Sequence, residues 1–162
     1  FIFCDEDVKT LGPNGKMKPP LRSSADREAI KKALVDGTLD CISTDHAPHS
    51  AEEKADLVSG AFGITGLQTV FAASYTTFVD SGLMTLPELI DRMSTTPAKI
   101  LGLDDGRGFI DHGALGDIVI FSGEDYTLTE EDIKSKSKNT PFIGMKLKGK
   151  IIATFVGGER TY

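Results

Sequence analysis

Cysteine is scarce. Cys4 and Cys41 are the only two in 162 residues, and they form no Cys-x-x-Cys pair. That excludes a disulfide framework and points to a reducing, cytoplasmic setting. No apolar run approaches the roughly 20 residues that a membrane-spanning helix needs, so the membrane is excluded as a partner. Basic blocks are also missing: 18 basic side chains stand against 24 acidic ones, a net charge of −6. Phosphate neutralisation needs clustered Lys and Arg, so nucleic acid is excluded too. There is no Gly-x-Gly-x-x-Gly after a strand pattern, hence no nucleotide cradle, and there are no internal repeats or low-complexity tracts. The N-terminus carries no signal peptide pattern, because its apolar start gives way to Asp5, Glu6 and Asp7. The chain opens on Phe1 rather than Met, and it is expected to be a piece of a longer protein.

What remains is ordinary globular composition, 40% hydrophobic and 26% charged, which argues against wholesale disorder. Residues 1–22 read as loop, with Gly12, Pro13, Asn14 and Gly15 as turn formers and Pro19-Pro20 as a helix barrier. Ser23 with Asp26 resembles a capping box and Gly37 suits a helix end, so a helix is predicted from Ala25 to Asp36, with Ala29, Ile30, Ala33 and Leu34 on its apolar face. Leu39 to Thr44 reads as a short strand that stops at Pro48. Residues 50–65 form a long polar loop. A second helix is predicted from Gly66 to Val79, with Leu67, Val70, Phe71 and Phe78 as core. Thr85 and Glu88 cap a third that runs to Ser94, and Thr96-Pro97 opens a short fourth ending near Gly102.

Beyond Gly102 the texture changes. Asp104, Asp105, Gly106, Gly108 and Gly113 read as linker and turn residues, and Asp117 to Phe121 as a strand. Met145 to Lys148 alternates with period two, and Gly149-Lys150 predicts a hairpin turn into Ile151 to Val156. Gly157-Gly158 starts another turn into Glu159 to Tyr162. The chain is therefore βα-type to residue 102 and β-type from 103 to 162.

Chemistry concentrates in Thr44-Asp45-His46-Ala47-Pro48-His49, at the C-terminal end of the predicted strand. In βα folds that rim is where catalytic groups project. A carboxylate there can hold a cation such as zinc or move a proton, and a histidine four residues on can reach a substrate anion. The plain alternative is a turn in which Asp45 satisfies backbone donors and both histidines are ordinary loop residues. Asp45 and the chain's three histidines do not easily complete a tetrahedral zinc site, so the partners of a ligand at Asp45 would lie elsewhere.

That hexapeptide, followed by Glu52-Glu53-Lys54 and by Phe62-Gly63-Ile64-Thr65-Gly66-Leu67, resembles the signature of the dihydroorotases of the long bacterial type, within the cyclic amidohydrolase superfamily. Lys16-Met17-Lys18-Pro19-Pro20-Leu21-Arg22 is similar to a loop of that family. Ser137-Lys138-Asn139-Thr140-Pro141-Phe142 with Gly144, then Gly149 and Gly157-Gly158, resembles its C-terminal tail. The resemblance runs in matching order over nearly the whole chain.

It implies an α/β fold: the C-terminal part of a metal-dependent-hydrolase (β/α)8 barrel over residues 1–102, then strands of a small β-sandwich over residues 103–162. It implies reversible cyclisation of N-carbamoyl-L-aspartate to L-dihydroorotate, with zinc as cofactor. By position, Asp45 would be a metal ligand and the acid/base that takes a proton from the metal-bridging hydroxide. His49 would bind the substrate carboxylate. Phe62 and Gly63 would meet substrate through backbone groups, and Lys18 stands where the family's pattern has a substrate-binding Asn. His46 matches the motif without an assigned role. The family's other metal ligands would precede Phe1, so the isolated chain is expected to be inactive. A second copy of the chain and aspartate transcarbamoylase are the protein partners left open. Allantoinase or dihydropyrimidinase activity, a noncatalytic scaffold for aspartate transcarbamoylase, and a free-standing α+β binding module are the competing readings.

Overall fold

The computed structural model describes residues 1–103 and 105–162; Asp104, read above as a linker residue, lies outside the described residues. Hydrogen-bonded caps set the principal helix starts. The Ser23 N–H donates to Asp26 Oδ2 and the Asp26 N–H to Ser23 Oγ, both at 3.2 Å. Helix α2, Ser24–Asp36, follows this box and ends before Gly37, whose φ of 85° lets the chain turn away. Thr85 and Glu88 exchange the same pair of bonds ahead of α4, Leu86–Ile90. A π-helical turn, Asp91–Thr95, carries α4 into α5, Thr96–Ile100. Helix α3, Val70–Ser74, likewise widens into π geometry over Tyr75–Asp80. There Thr76 Oγ1 donates to the Ala72 carbonyl (2.7 Å) and accepts from the Lys148 N–H (2.8 Å).

Several expectations need correction. Residues 1–22 are not all loop: α1, Val8–Leu11, sits between 3-10 turns at Asp5–Asp7 and Gly12–Gly15. The Asp7 carboxylate accepts from the Cys4 N–H at 2.8 Å and opens this helical stretch without a Ser or Thr to signal it. The second helix starts at Val70, not Gly66, so Leu67 falls outside the helical phase and is 62% exposed, whereas Phe78 is fully buried. On the predicted face of α2, Leu34 alone is buried and Ile30 is exposed. Leu39 to Thr44 forms no strand. Its backbone N–H groups at Leu39 and Ile42 donate to the carbonyls of Ala33 and Arg92, both in helical segments, and such bonds do not make a ladder.

The largest sheet pairs β1, Ile118–Ser122, with β4, Lys150–Val156, and β4 with β5, Glu159–Arg160, all antiparallel. The register steps between Ile120 and Phe121, which face Ala153 and Ile151, so Ile152 is the bulged residue. The hairpin expected across Gly149-Lys150 does not form. Strand β3, Lys146–Leu147, pairs instead with β2, Tyr126–Thr127, in a separate two-stranded sheet. The turn at Gly157-Gly158 forms as expected.

The chain divides into two compact units. One comprises Phe1–Lys32, Thr44–Phe71 and Thr127–Lys146; the other comprises Ala33–Ser43, Ala72–Tyr126 and Leu147–Tyr162. Their interiors differ in kind. The second buries Leu34, Ala72, Ala73, Phe78, Met84, Leu89, Ala98, Leu147 and Ala153, an apolar core. The first buries Cys4, Leu128 and Ile133 together with Lys54, Thr65, Thr69, Asn139 and Thr140, so much of its interior is polar. Buried polar groups hold their place only when hydrogen-bonded, which makes the first unit a network rather than an oil drop.

Leu89 is fully buried. In the complete protein, Leu89→Ala should lower the unfolding free energy by about 2–5 kcal/mol in urea titrations. Thr85→Ala, which removes only the α4 cap, should lower it by about 1 kcal/mol. The cap hydrogen bonds also hold the Asp26 and Glu88 carboxyls below their ordinary values of 3.8 and 4.5, through Ser23 and Thr85 respectively. A depressed folded value stabilises the fold fully above the ordinary value and loses that contribution as pH falls through the folded one. Melting temperature should therefore drop on acidification below about pH 4.5, and Asp26→Asn with Glu88→Gln should flatten that drop.

Candidate active site

The segment 40–50 has no regular secondary structure, and hydrogen bonds to other segments hold it. Asp45 is exposed, with φ 42°, the one non-glycine residue in the left-handed region among the described residues. Asp tolerates that region better than most residues because its short polar side chain bonds locally, yet it still costs about 1 kcal/mol or more. The residues that follow it are pinned. His46 Nδ1 accepts from the Gly66 N–H (3.0 Å) and the Leu67 N–H (3.3 Å), which leaves the ring proton on Nε2. The Ala47 N–H donates to the Ile64 carbonyl at 2.8 Å. His46, given no role from sequence, is thus what orients the turn after Asp45. Its partner lies 20 residues on, a relation that no local motif displays.

The other predicted residues gather in the same unit. His49 Nε2 sits 3.0 Å from the Phe62 carbonyl, to which it must donate, and its Nδ1 lies 3.6 Å from Glu53 Oε2. The Phe62 ring is 52% exposed between two cations, with Lys16 Nζ 4.5 Å and Lys18 Nζ 5.9 Å from its centroid. Lys18 is exposed, while Lys16 Nζ also donates to the Val58 carbonyl at 2.6 Å. Gly63 has φ 107°, and a Cβ there would sit 2.5 Å from Ala47 Cβ. Its N–H donates to the Lys16 carbonyl at 2.9 Å. Both its conformation and its close approach to Ala47 therefore require glycine.

Lys54 is the residue that sequence reasoning missed most clearly. It is 6% exposed, and its ammonium donates to the carbonyls of Lys16 (2.9 Å) and Ala61 (2.8 Å). Burial first, and the Lys16 charge second, lower its pKa. The signal available was a lysine inside the motif-bearing loop, but only the fold reveals that it is buried. A cleft of about 350 Å³ opens beside His49, Lys54, Lys136 and Asn139. Lysines at 16, 18, 54 and 136 stand in this part of the unit beside the carboxylates of Glu53 and Glu130.

Metal chemistry is a separate matter. Among the described residues no three His, Cys, Asp or Glu side chains gather. Zinc takes four donors in structural sites and three protein donors in catalytic ones. His46 Nδ1 is already committed to backbone, so the described residues do not by themselves fit a complete zinc site.

Comparison with known proteins places this loop in context. Residues 6–161 match the model of the amidohydrolase family. The chain belongs to that family. Among curated proteins, this amidohydrolase chain is 47% identical over 160 residues to a dihydroorotase of Geobacillus thermodenitrificans (strain NG80-2), covering 98% of the chain and 37% of that protein. It is 46% identical to a dihydroorotase of Endomicrobium trichonymphae, covering 98% and 38%. The resemblance read from the motifs is borne out. The chain thus spans somewhat over a third of the length of the curated relatives it matches. Among solved structures, an L-hydantoinase (dihydropyrimidinase) from Arthrobacter aurescens superposes with a TM-score of 0.90 at 28% identity, covering 98% of the chain and 36% of that one. A D-hydantoinase (dihydropyrimidinase) from Thermus sp. gives 0.80 at 25%, covering 91% and 33%.

In this amidohydrolase, Gly63→Ala should destabilise the fold and depress activity. Ala47→Gly should recover only part of the loss, because it removes the Cβ collision and not the φ penalty; melts and rates of the two single variants and the double variant check this. Lys54→Met, which strips donors from two carbonyls, should cost about 1–3 kcal/mol by denaturant titration.

Proposed function

We propose that this chain is the C-terminal portion of a zinc-dependent dihydroorotase, which interconverts N-carbamoyl-L-aspartate and L-dihydroorotate in pyrimidine biosynthesis in the cytoplasm. In that reading residues 1–102 complete a (β/α)8 barrel and residues 103–162 contribute to a β-sandwich. The observation that carries it is Asp45: an exposed carboxylate in left-handed backbone, followed by two residues anchored to another loop. Strained, over-determined positions of this kind cluster at active sites. The choice of dihydroorotase over hydantoinase rests on identities of 47% against 28%. The hydantoinase reading keeps its own support, a TM-score of 0.90.

Asp45 would supply one zinc ligand, with the remaining donors outside this chain. Zinc when bound supplies positive charge that polarises a carbonyl and makes water nucleophilic near neutral pH. In the hydrolytic direction the Asp45 carboxylate takes a proton as water adds to the ring amide carbonyl. It returns that proton to the departing ring nitrogen as the C–N bond breaks, and ring closure runs the same steps backwards. His49 turns its Nε2–H from the Phe62 carbonyl to the substrate carboxylate. Lys18, a mobile point charge, reinforces that carboxylate site, and Phe62 and Gly63 bound it through their backbone.

In the complete enzyme, Asp45→Ala should reduce dihydroorotate hydrolysis by about 10²–10⁴-fold. Asp45→Gly should lose as much activity while keeping the wild-type melting temperature, because glycine accepts φ 42° freely. Near-wild-type turnover in either variant, or hydrolysis of dihydrouracil or allantoin in place of dihydroorotate, would overturn the assignment.

A further inference from the structure

The structure assigns Asn139 as the positioning residue that holds the two halves of the candidate site in register, an inference that rests on the reading above. Asn139 is 7% exposed and lies about 90 residues from the loop it serves. Its Nδ2 donates to the Ala47 carbonyl at 3.0 Å and to the Gly63 carbonyl at 3.4 Å. Its Oδ1 accepts from the His49 N–H at 3.3 Å, and its own carbonyl accepts from the Thr65 N–H at 3.0 Å. Two residues earlier, Ser137 Oγ donates to the His49 carbonyl. One side chain therefore joins the Asp45-to-His49 loop to the loop carrying Phe62 and Gly63, and the segment grips His49 by both of its backbone groups.

The chemistry of the amide matters. Two carbonyls on one side and an N–H on the other leave a single orientation for it, and no other side chain of this size both donates twice and accepts. Aspartate has the shape but presents oxygen to both carbonyls. Alanine leaves two buried carbonyls and an N–H without that partner. Either change frees His49 and Gly63 to drift apart, and a displacement of about 1 Å at a positioned group can lower a rate about 10²-fold. Because the groups held are those assigned to bind substrate, the loss should fall on KM more than on kcat.

The test uses the complete enzyme, with Asn139→Ala and Asn139→Asp beside Ile133→Val, which trims a buried apolar side chain of the same unit. Two readouts are taken: steady-state kinetics with dihydroorotate, and amide hydrogen exchange over residues 44–50 and 61–67. Both Asn139 variants should exchange faster in both segments and show kcat/KM lowered about 10²-fold, mainly through KM, with an unchanged pH profile of kcat. Ile133→Val should lower the melting temperature alone. If the Asn139 variants do not fold, Ser137→Ala must still speed exchange over 44–50 and raise KM. Unchanged exchange overturns the inference whatever the substrate. So does faster exchange with unchanged KM, or an Asn139→Asp enzyme equal to wild type. A wild-type enzyme that ignores dihydroorotate overturns the proposed function instead, and the inference is then decided by exchange and by KM for the cyclic amide that the enzyme does hydrolyse.

Discussion

The Ala47 N–H bond to the Ile64 carbonyl is the constraint on which the candidate site depends. The loop that carries Asp45 has no helix or sheet of its own to hold it. It keeps one shape because Ala47 and His46 are tied to residues 64–67, and because those residues belong to a loop that Lys54 anchors from beneath. Strain at Asp45 persists under that pressure. A carboxylate on a free loop would relax into an ordinary turn, and the loop would lose the geometry that chemistry requires.

This explains why the unit bearing the site has a polar interior. Lys54, Thr65, Thr69, Asn139 and Thr140 are buried there, and their side-chain polar atoms, Thr65 Oγ1 excepted, bond to backbone. Loops expose many backbone donors and acceptors, so packing them together needs side chains that answer each one. Apolar packing does that work in the other unit, around Phe78 and Leu89. An enzyme that builds its site from loops trades oil for hydrogen bonds, and its site becomes sensitive to single polar substitutions. The chain is a member of the amidohydrolase family and matches little over a third of the length of its curated relatives.

Much of the local structure was legible. The boxes at Ser23 with Asp26 and Thr85 with Glu88 formed as read, because capping is settled within four residues. The turn at Gly157-Gly158 also formed, for the same reason. The failures were of another kind. Leu39 to Thr44 has strand-like composition, but a strand exists only beside a partner, and composition does not supply one. Gly149-Lys150 has the residues of a hairpin turn, yet β3 pairs with Tyr126–Thr127, so a distant competitor overrode the local preference.

The site divides in the same way. Sequence alone determined which residues are candidates for the chemistry, since Asp45, His49, Phe62 and Gly63 sit in one recognisable string. Only the tertiary structure decided what holds them: His46 turned toward Gly66, Lys54 buried under two carbonyls, and Asn139 reaching back across some 90 residues. The physical reason is range. Reactive groups are named by residue type, which any chain displays in one dimension, whereas burial and hydrogen-bond partnership come into being only when distant segments meet.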